Sequence, residues 1–188
     1  MQLLSVHIKK ATKRAHQLLE AVVVRQLKAI RSEKDYAHLL NKFYGFFHPA
    51  ERLLDNFLND TNVPLYQQRR RSSSILDDLR EIGSTGKEMA LATSLPGIDN
   101  EHKALGVFYV LEGSTQGGTI IANMLVKQLG MPSNAVHFFN AYKEKEKTMW
   151  QSFRERLDEV PVGSKEAEVI MQAANEAFEK FHAWMVTK

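Results

Sequence analysis

Residues 106–118 read Gly-Val-Phe-Tyr-Val-Leu-Glu-Gly-Ser-Thr-Gln-Gly-Gly. Apolar residues lead into this stretch, and Ile120, Ile121, Met124 and Leu125 lead out of it at helical spacing. Gly113, Gly117 and Gly118 interrupt what otherwise reads as one long helix from about residue 100 to 129. A glycine inside a helix costs about 1 kcal/mol relative to alanine, because the unfolded chain has more freedom to lose. Three of them together imply a close approach to this backbone, either by another helix or by a flat ligand.

Outward from that stretch the pattern stays helical. Leu4, Ile8, Ala11, Ala15, Leu18, Leu19 and Val22 recur every three or four residues, predicting one helix over 4–30. Ser32 is a candidate cap for a second helix, carrying Tyr36, Leu39, Leu40, Phe43, Phe46 and Phe47, with Pro49 as its kink or end. Residues 59–71 read as a loop, and Arg69-Arg70-Arg71 as its solvated basic exit. A short helix capped by one of Ser72 to Ser74 runs to Gly83. Gly130 and Pro132 stop the long glycine-bearing helix. The next helix carries Tyr142, Trp150, Phe153 and Leu157, and Ser164 caps the last, with Val169, Ile170, Phe178, Phe181 and Trp184. Strand alternation is nearly absent, and no repeat or linker stands out. The expectation is a single all-α domain, residues 1–188, of seven or eight helices.

Composition narrows the chemistry. The 188 residues include no cysteine, which excludes a disulfide, a cysteine-held iron–sulfur cluster, a haem thiolate and a cysteine nucleophile. No apolar run approaches the roughly 20 residues of a membrane helix, and the N-terminus lacks a signal-peptide pattern, so the expected location is the cytoplasm. The net charge of +3 is concentrated. Lys9, Lys10, Lys13, Arg14, Arg25, Lys28 and Arg31 face a single acid, Glu20, within the first 31 residues. Such a face attracts anions, whether an acidic protein or a carboxylate-bearing ligand. Without interleaved aromatics, the arginine run 69–71 gives no nucleic-acid signature.

His16 lies at the edge of the first helix's apolar stripe, with Lys9 and Thr12 along the same flank. Glu20, four residues on, is placed to accept the imidazole N–H. A neutral imidazole can ligate a metal through one nitrogen while a carboxylate orients the other. A structural histidine–glutamate contact is the plainer reading of the same spacing. The pair Glu179…His182 is the single Glu-x-x-His in the chain, too little for a di-iron bundle.

Three segments together resemble the haem oxygenases, especially their bacterial branch. Ile8-Lys9-Lys10-Ala11-Thr12-Lys13-Arg14-Ala15-His16-Gln17-Leu18-Leu19-Glu20 is similar to the family's proximal helix. Tyr109-Val110-Leu111-Glu112-Gly113-Ser114-Thr115-Gln116-Gly117-Gly118 is similar to its distal helix, which kinks across the other haem face. His137-Phe138-Phe139-Asn140-Ala141-Tyr142, with Trp150-Gln151-Ser152-Phe153-Arg154 after it, is similar to the region that follows. Thiaminase-like enzymes share that fold but use a cysteine, absent here.

The resemblance implies an all-α, haem oxygenase-like bundle and a haem-degrading monooxygenase yielding biliverdin, carbon monoxide and ferrous iron. Haem would be substrate and cofactor at once, with molecular oxygen and external electrons from a ferredoxin- or flavodoxin-like reductase. By position, His16 would be the axial iron ligand and Glu20 would orient it. Lys9 and Arg154 would pair with haem propionates. Gly113 and Gly117 would let the distal backbone lie against the haem face, with Ser114 where the mammalian pattern has a proton-organising aspartate. Tyr109 would sit near the haem edge and Phe139 would wall the pocket. Gln116 and Lys143 depart from the bacterial pattern of leucine and glycine. A haem carrier without turnover uses the same His16 pocket, and a helical scaffold would need the glycines only for packing.

Overall fold

The computed structural model describes residues 3–84, 89–142 and 145–187; Lys143 lies outside them, as do parts of the loops around it and after Ser84. Helices account for the fold, and no strand occurs among the described residues. They are α1 (Leu4–Ala11), α2 (Lys13–Ala29), α3 (Glu33–Leu54), α4 (Ser73–Glu81), α5 (Glu101–Gly113), α6 (Gly118–Leu129), α7 (Glu146–Asp158) and α8 (Lys165–Val186). Single 3-10 turns cover Tyr66–Gln68, Ser114–Gly117 and Ser133–Ala135.

Ser32 and Ser164 cap as expected, each accepting the backbone N–H three residues on, and Gly130 ends α6 with a φ of 67°. The expected serine cap of α4 does not form, since Ser72 precedes that helix without a side-chain cap bond, and Asn100, not foreseen, caps α5 through the Lys103 N–H. Two expected elements are divided. The first helix breaks at Thr12, whose hydroxyl donates to the Ile8 carbonyl at 2.8 Å, a back-bond that bends helices. The long glycine-bearing helix tightens to 3-10 geometry at Ser114 before resuming as α6. One expected break does not occur. Pro49 lies inside α3, and the carbonyl it leaves free, that of Gly45, accepts the Ala92 N–H at 2.8 Å. Tyr142 falls in the bend before α7 rather than within the helix.

At the centre stands α5. Every residue from Ala104 to Glu112 is buried, so this helix is covered on all sides. Helix α8 packs along it closely enough that a Cβ on Gly106 would lie 2.3 Å from the Ile170 carbonyl oxygen. Beside them, Phe43 and Phe47 of α3, Phe181 of α8, and Phe138 and Phe139 form an aromatic cluster with ring centroids 5.2–5.8 Å apart.

Candidate active site

The three glycines of residues 113–118 have different surroundings. A Cβ on Gly118 would lie 2.0 Å from the Phe139 carbonyl oxygen, so glycine there is required by backbone packing. Gly113 has Trp150 beneath it; a Cβ there would stand 3.6 Å from the indole, an ordinary contact distance. Around Gly117 a Cβ would meet nothing within 4 Å. Helix packing therefore explains Gly118, while the face of Gly117 is open space where a ligand can lie flat against backbone. The glycine leaves no side chain between its backbone and a flat ligand.

Behind this segment sits a buried polar network. Glu112, the last residue before Gly113, and Arg69 are each 1% exposed and form an ion pair. The Tyr142 hydroxyl donates to the same carboxylate at 3.0 Å. Arg69 also donates to the Met149 and Pro64 carbonyls and to Ser152 Oγ, so its fork is satisfied. Burial pushes the Tyr142 phenol well above its ordinary range, and the neighbouring Glu112 charge pushes it further. Next along the loop, Arg70 Nη2 donates to the Leu111 carbonyl at 2.6 Å and to Ser114 Oγ at 2.9 Å. The expected solvated exit at 69–71 is thus corrected: Arg69 is buried and paired, and Arg70 reaches inward to the distal segment. The reason is Glu112, a carboxylate in a buried helix, which needs a desolvated cation.

A second carboxylate supports the same loop. Glu51 of α3 is buried and accepts the Ser72 N–H at 2.9 Å and the Ser72 hydroxyl at 2.6 Å. Burial raises its pKa, with the Ser72 bonds acting in the opposite sense. Asp78 of α4, fully buried, accepts the N–H groups of His137 and Phe138 at 2.7 and 2.9 Å. This fixes the segment whose Phe139 carbonyl packs on Gly118.

The proximal residues are arranged more loosely. His16 of α2 is 55% exposed, its Nδ1 lying 3.8 Å from Glu20 Oε2, beyond hydrogen-bond length. Its ring meets Phe178 of α8 edge-on at 5.4 Å. Lys9 is exposed on α1. Tyr109 is 8% exposed and 5.6 Å from the Trp150 ring, with the Thr12 side chain and the Arg154 charge near its hydroxyl. Burial raises the Tyr109 pKa against both influences. Arg154 Nη2 is 3.5 Å from Ser5 Oγ, so it stands at the α1–α7 contact. Thr12 immediately precedes α2, the helix that carries His16. Phe139 is 5% exposed, with its ring in the aromatic cluster. Gln116 is exposed. Among the described residues, no three His, Asp or Glu side chains gather as a metal cage; an accessible imidazole suits a metal that brings its own equatorial donors.

Fold and site together define an all-α protein in which a buried glycine-ended helix shares a bundle with a helix bearing a half-exposed imidazole. The chain belongs to the Heme oxygenase family, whose sequence pattern matches residues 2–187. It is 27% identical over 153 residues to "Heme oxygenase" of Xanthomonas campestris pv. campestris (strain 8004), covering 81% of this chain and 90% of that one. Its fold is similar to the structure of heme oxygenase from Leptospira interrogans, with a TM-score of 0.77, 21% identity and 98% of each chain covered. It is accordingly an enzyme of the haem-degrading class. Among the described residues, no helix is long and apolar enough to cross a membrane.

Proposed function

We propose that this protein opens haem at one meso carbon, giving biliverdin, carbon monoxide and ferrous iron, with oxygen and with electrons from a cytoplasmic ferredoxin- or flavodoxin-like reductase. Bound haem supplies the iron at which oxygen is activated. The His16 imidazole binds that iron, neutral and free of the strong electron push of a thiolate. Glu20 is near enough to steer the ring once a ligand immobilises it. Gly113 and Gly117 form the distal wall, where backbone rather than side chain approaches the reacting face. Ser114 supplies the distal hydroxyl for proton delivery by turning its O–H away from the Leu111 carbonyl, to which it donates at 2.6 Å, while Arg70 continues to donate to its oxygen. Lys9 and Arg154 neutralise propionates and so set the in-plane rotation of the haem, which decides the meso carbon attacked. Tyr109 stands near the haem edge, and Phe139, whose carbonyl packs on Gly118, walls the pocket. The basic α1–α2 surface receives the acidic reductase.

The observation that carries this reading is the empty face of Gly117 beside a Gly118 that packing explains fully. The test is an absorption spectrum with one equivalent of hemin, before and after adding a reductant in air. A sharp Soret band that decays while a biliverdin band grows is the expected result. A Soret band that survives with a competent reductase present makes the protein a haem carrier. No Soret change overturns haem binding altogether.

A further inference from the structure

We propose that Arg70 is the positioning residue of the distal bend: its guanidinium, reaching from the loop behind α5, fixes the turn that sets the Gly117 backbone against the pocket. This rests on the reading of Gly113–Gly117 as the distal wall. The bend lies where α5 gives way to the Ser114–Gly117 turn, and the carbonyls at a helix C-terminus have no partner within the helix. Arg70 meets two groups at that point, the Leu111 carbonyl and Ser114 Oγ, through one nitrogen. A cation there is also favoured by the helix dipole.

Glycine alone does not specify this geometry. It permits many backbone conformations, and something must select one. Arg70 is itself rigidly held. Its backbone N–H donates to the Tyr142 hydroxyl at 2.8 Å, and its guanidinium lies 4.3 Å from the Phe138 ring centre and 5.0 Å from that of Phe47. Those rings belong to the same cluster as Phe139, whose carbonyl packs on Gly118. Arg70 therefore ties the start of the bend to the aromatic cluster whose Phe139 packs on its far end.

The chemistry of Arg70 differs from that of its neighbours. Arg69 is paired with Glu112 and Arg71 with Asp55. Among the described residues, Arg70 has no carboxylate within ion-pair distance, and its Nε is buried without a partner. It also borders an open cleft of about 480 Å³ with Ser73, Asp77, His137 and Asn140. Its charge is held in place to serve neutral acceptors on the distal segment, an arrangement that stability alone does not call for.

The experiment is amide hydrogen exchange on the haem-free protein, comparing Arg70→Met, Arg70→Lys and Ser114→Ala with the parent. Arg70→Met keeps the apolar stem over Phe138 and removes the donors. It is expected to speed exchange at residues 115–118 about tenfold or more, with the amides of Ala173 and Ala174 in α8 little changed. Arg70→Lys, which keeps the charge without the fork, should fall between, and it decides the matter should the methionine variant not fold. Adding Ser114→Ala to Arg70→Met should bring less than the product of the two separate effects. The second readout is the pH midpoint of the spectral transition of the ferric hemin complex, expected to shift in Arg70→Met and to recover in part in Arg70→Lys. Uniform acceleration throughout the chain, or none, overturns the proposal. Local acceleration with an unmoved midpoint overturns the link to the pocket. Failure of the parent to bind hemin instead strikes the functional reading, and leaves the exchange result to stand or fall separately.

Discussion

Glu112 and Glu20 lie close in sequence to the two groups proposed to face the haem, and their surroundings are opposite. Glu112, next to Gly113, is 1% exposed and held by Arg69 and Tyr142. Glu20, one turn after His16, is 60% exposed and too far from the imidazole for a hydrogen bond. The distal side is therefore built by the chain itself before any ligand arrives. The proximal side keeps an exposed imidazole whose orientation a ligand completes. This division suits a protein whose substrate must enter and whose product must leave. On the proposed assignment, the side that would bind iron can loosen while the wall that would direct the chemistry keeps its shape.

The largest expected effect comes from breaking the distal network. Removing one member of a buried ion pair leaves an uncompensated charge and costs about 3–5 kcal/mol. Glu112→Gln and Arg69→Met should each lose stability on that scale in urea denaturation of the haem-free protein. The pair replaced together by Met and Leu should recover much of it. A loss below about 1 kcal/mol in both single variants would mean that water reaches the pair. The distal wall would then be no better prepared than the proximal helix.

A smaller effect separates two adjacent glycines. Gly118→Ala forces a Cβ onto the Phe139 carbonyl and should cost about 1–3 kcal/mol in the haem-free protein. Gly117→Ala meets open space at a φ of −104°, which alanine can adopt, so stability should hold or rise by up to about 1 kcal/mol. Hemin titration should give the reverse order, with Gly117→Ala the weaker binder for its stability. If alanine at 117 binds hemin as the parent does, the open face lies away from the ligand.

Much of this was legible in the sequence, because period and caps are local signals. Ser32, Ser164 and Gly130 mark their helix ends by their own chemistry. The family resemblance likewise rests on contiguous residues. What was not legible is long-range. Nothing local says that Pro49 stays within a helix, since the carbonyl it frees is taken by Ala92, far along the chain. Nor does an arginine run in a loop reveal that its first member pairs with Glu112. A signal for that pairing did exist. A single carboxylate inside Val-Phe-Tyr-Val-Leu-Glu, on a helix apolar all round, demands a buried cation. The loop after Pro64 offers three candidates. Which glycine packs and which stays open depends on the Phe139 carbonyl, and spacing carries no trace of that contact.

The smallest effect on stability is expected where the effect on chemistry is greatest. His16 is more than half exposed, and its contacts are an edge-on approach to Phe178 and a distant Glu20. An exposed aromatic contact of this kind contributes less than about 1 kcal/mol. His16→Ala should therefore denature in urea almost as the parent does. Its hemin complex should lose the histidine-ligated spectrum, and added imidazole should restore it in part, because the vacated position opens to solvent. A stable His16→Ala protein that retains the parent spectrum would move the axial ligand elsewhere. A protein badly destabilised by the change would show that the proximal helix is prepared as firmly as the distal wall, and the contrast between Glu112 and Glu20 would no longer describe how the two sides are built.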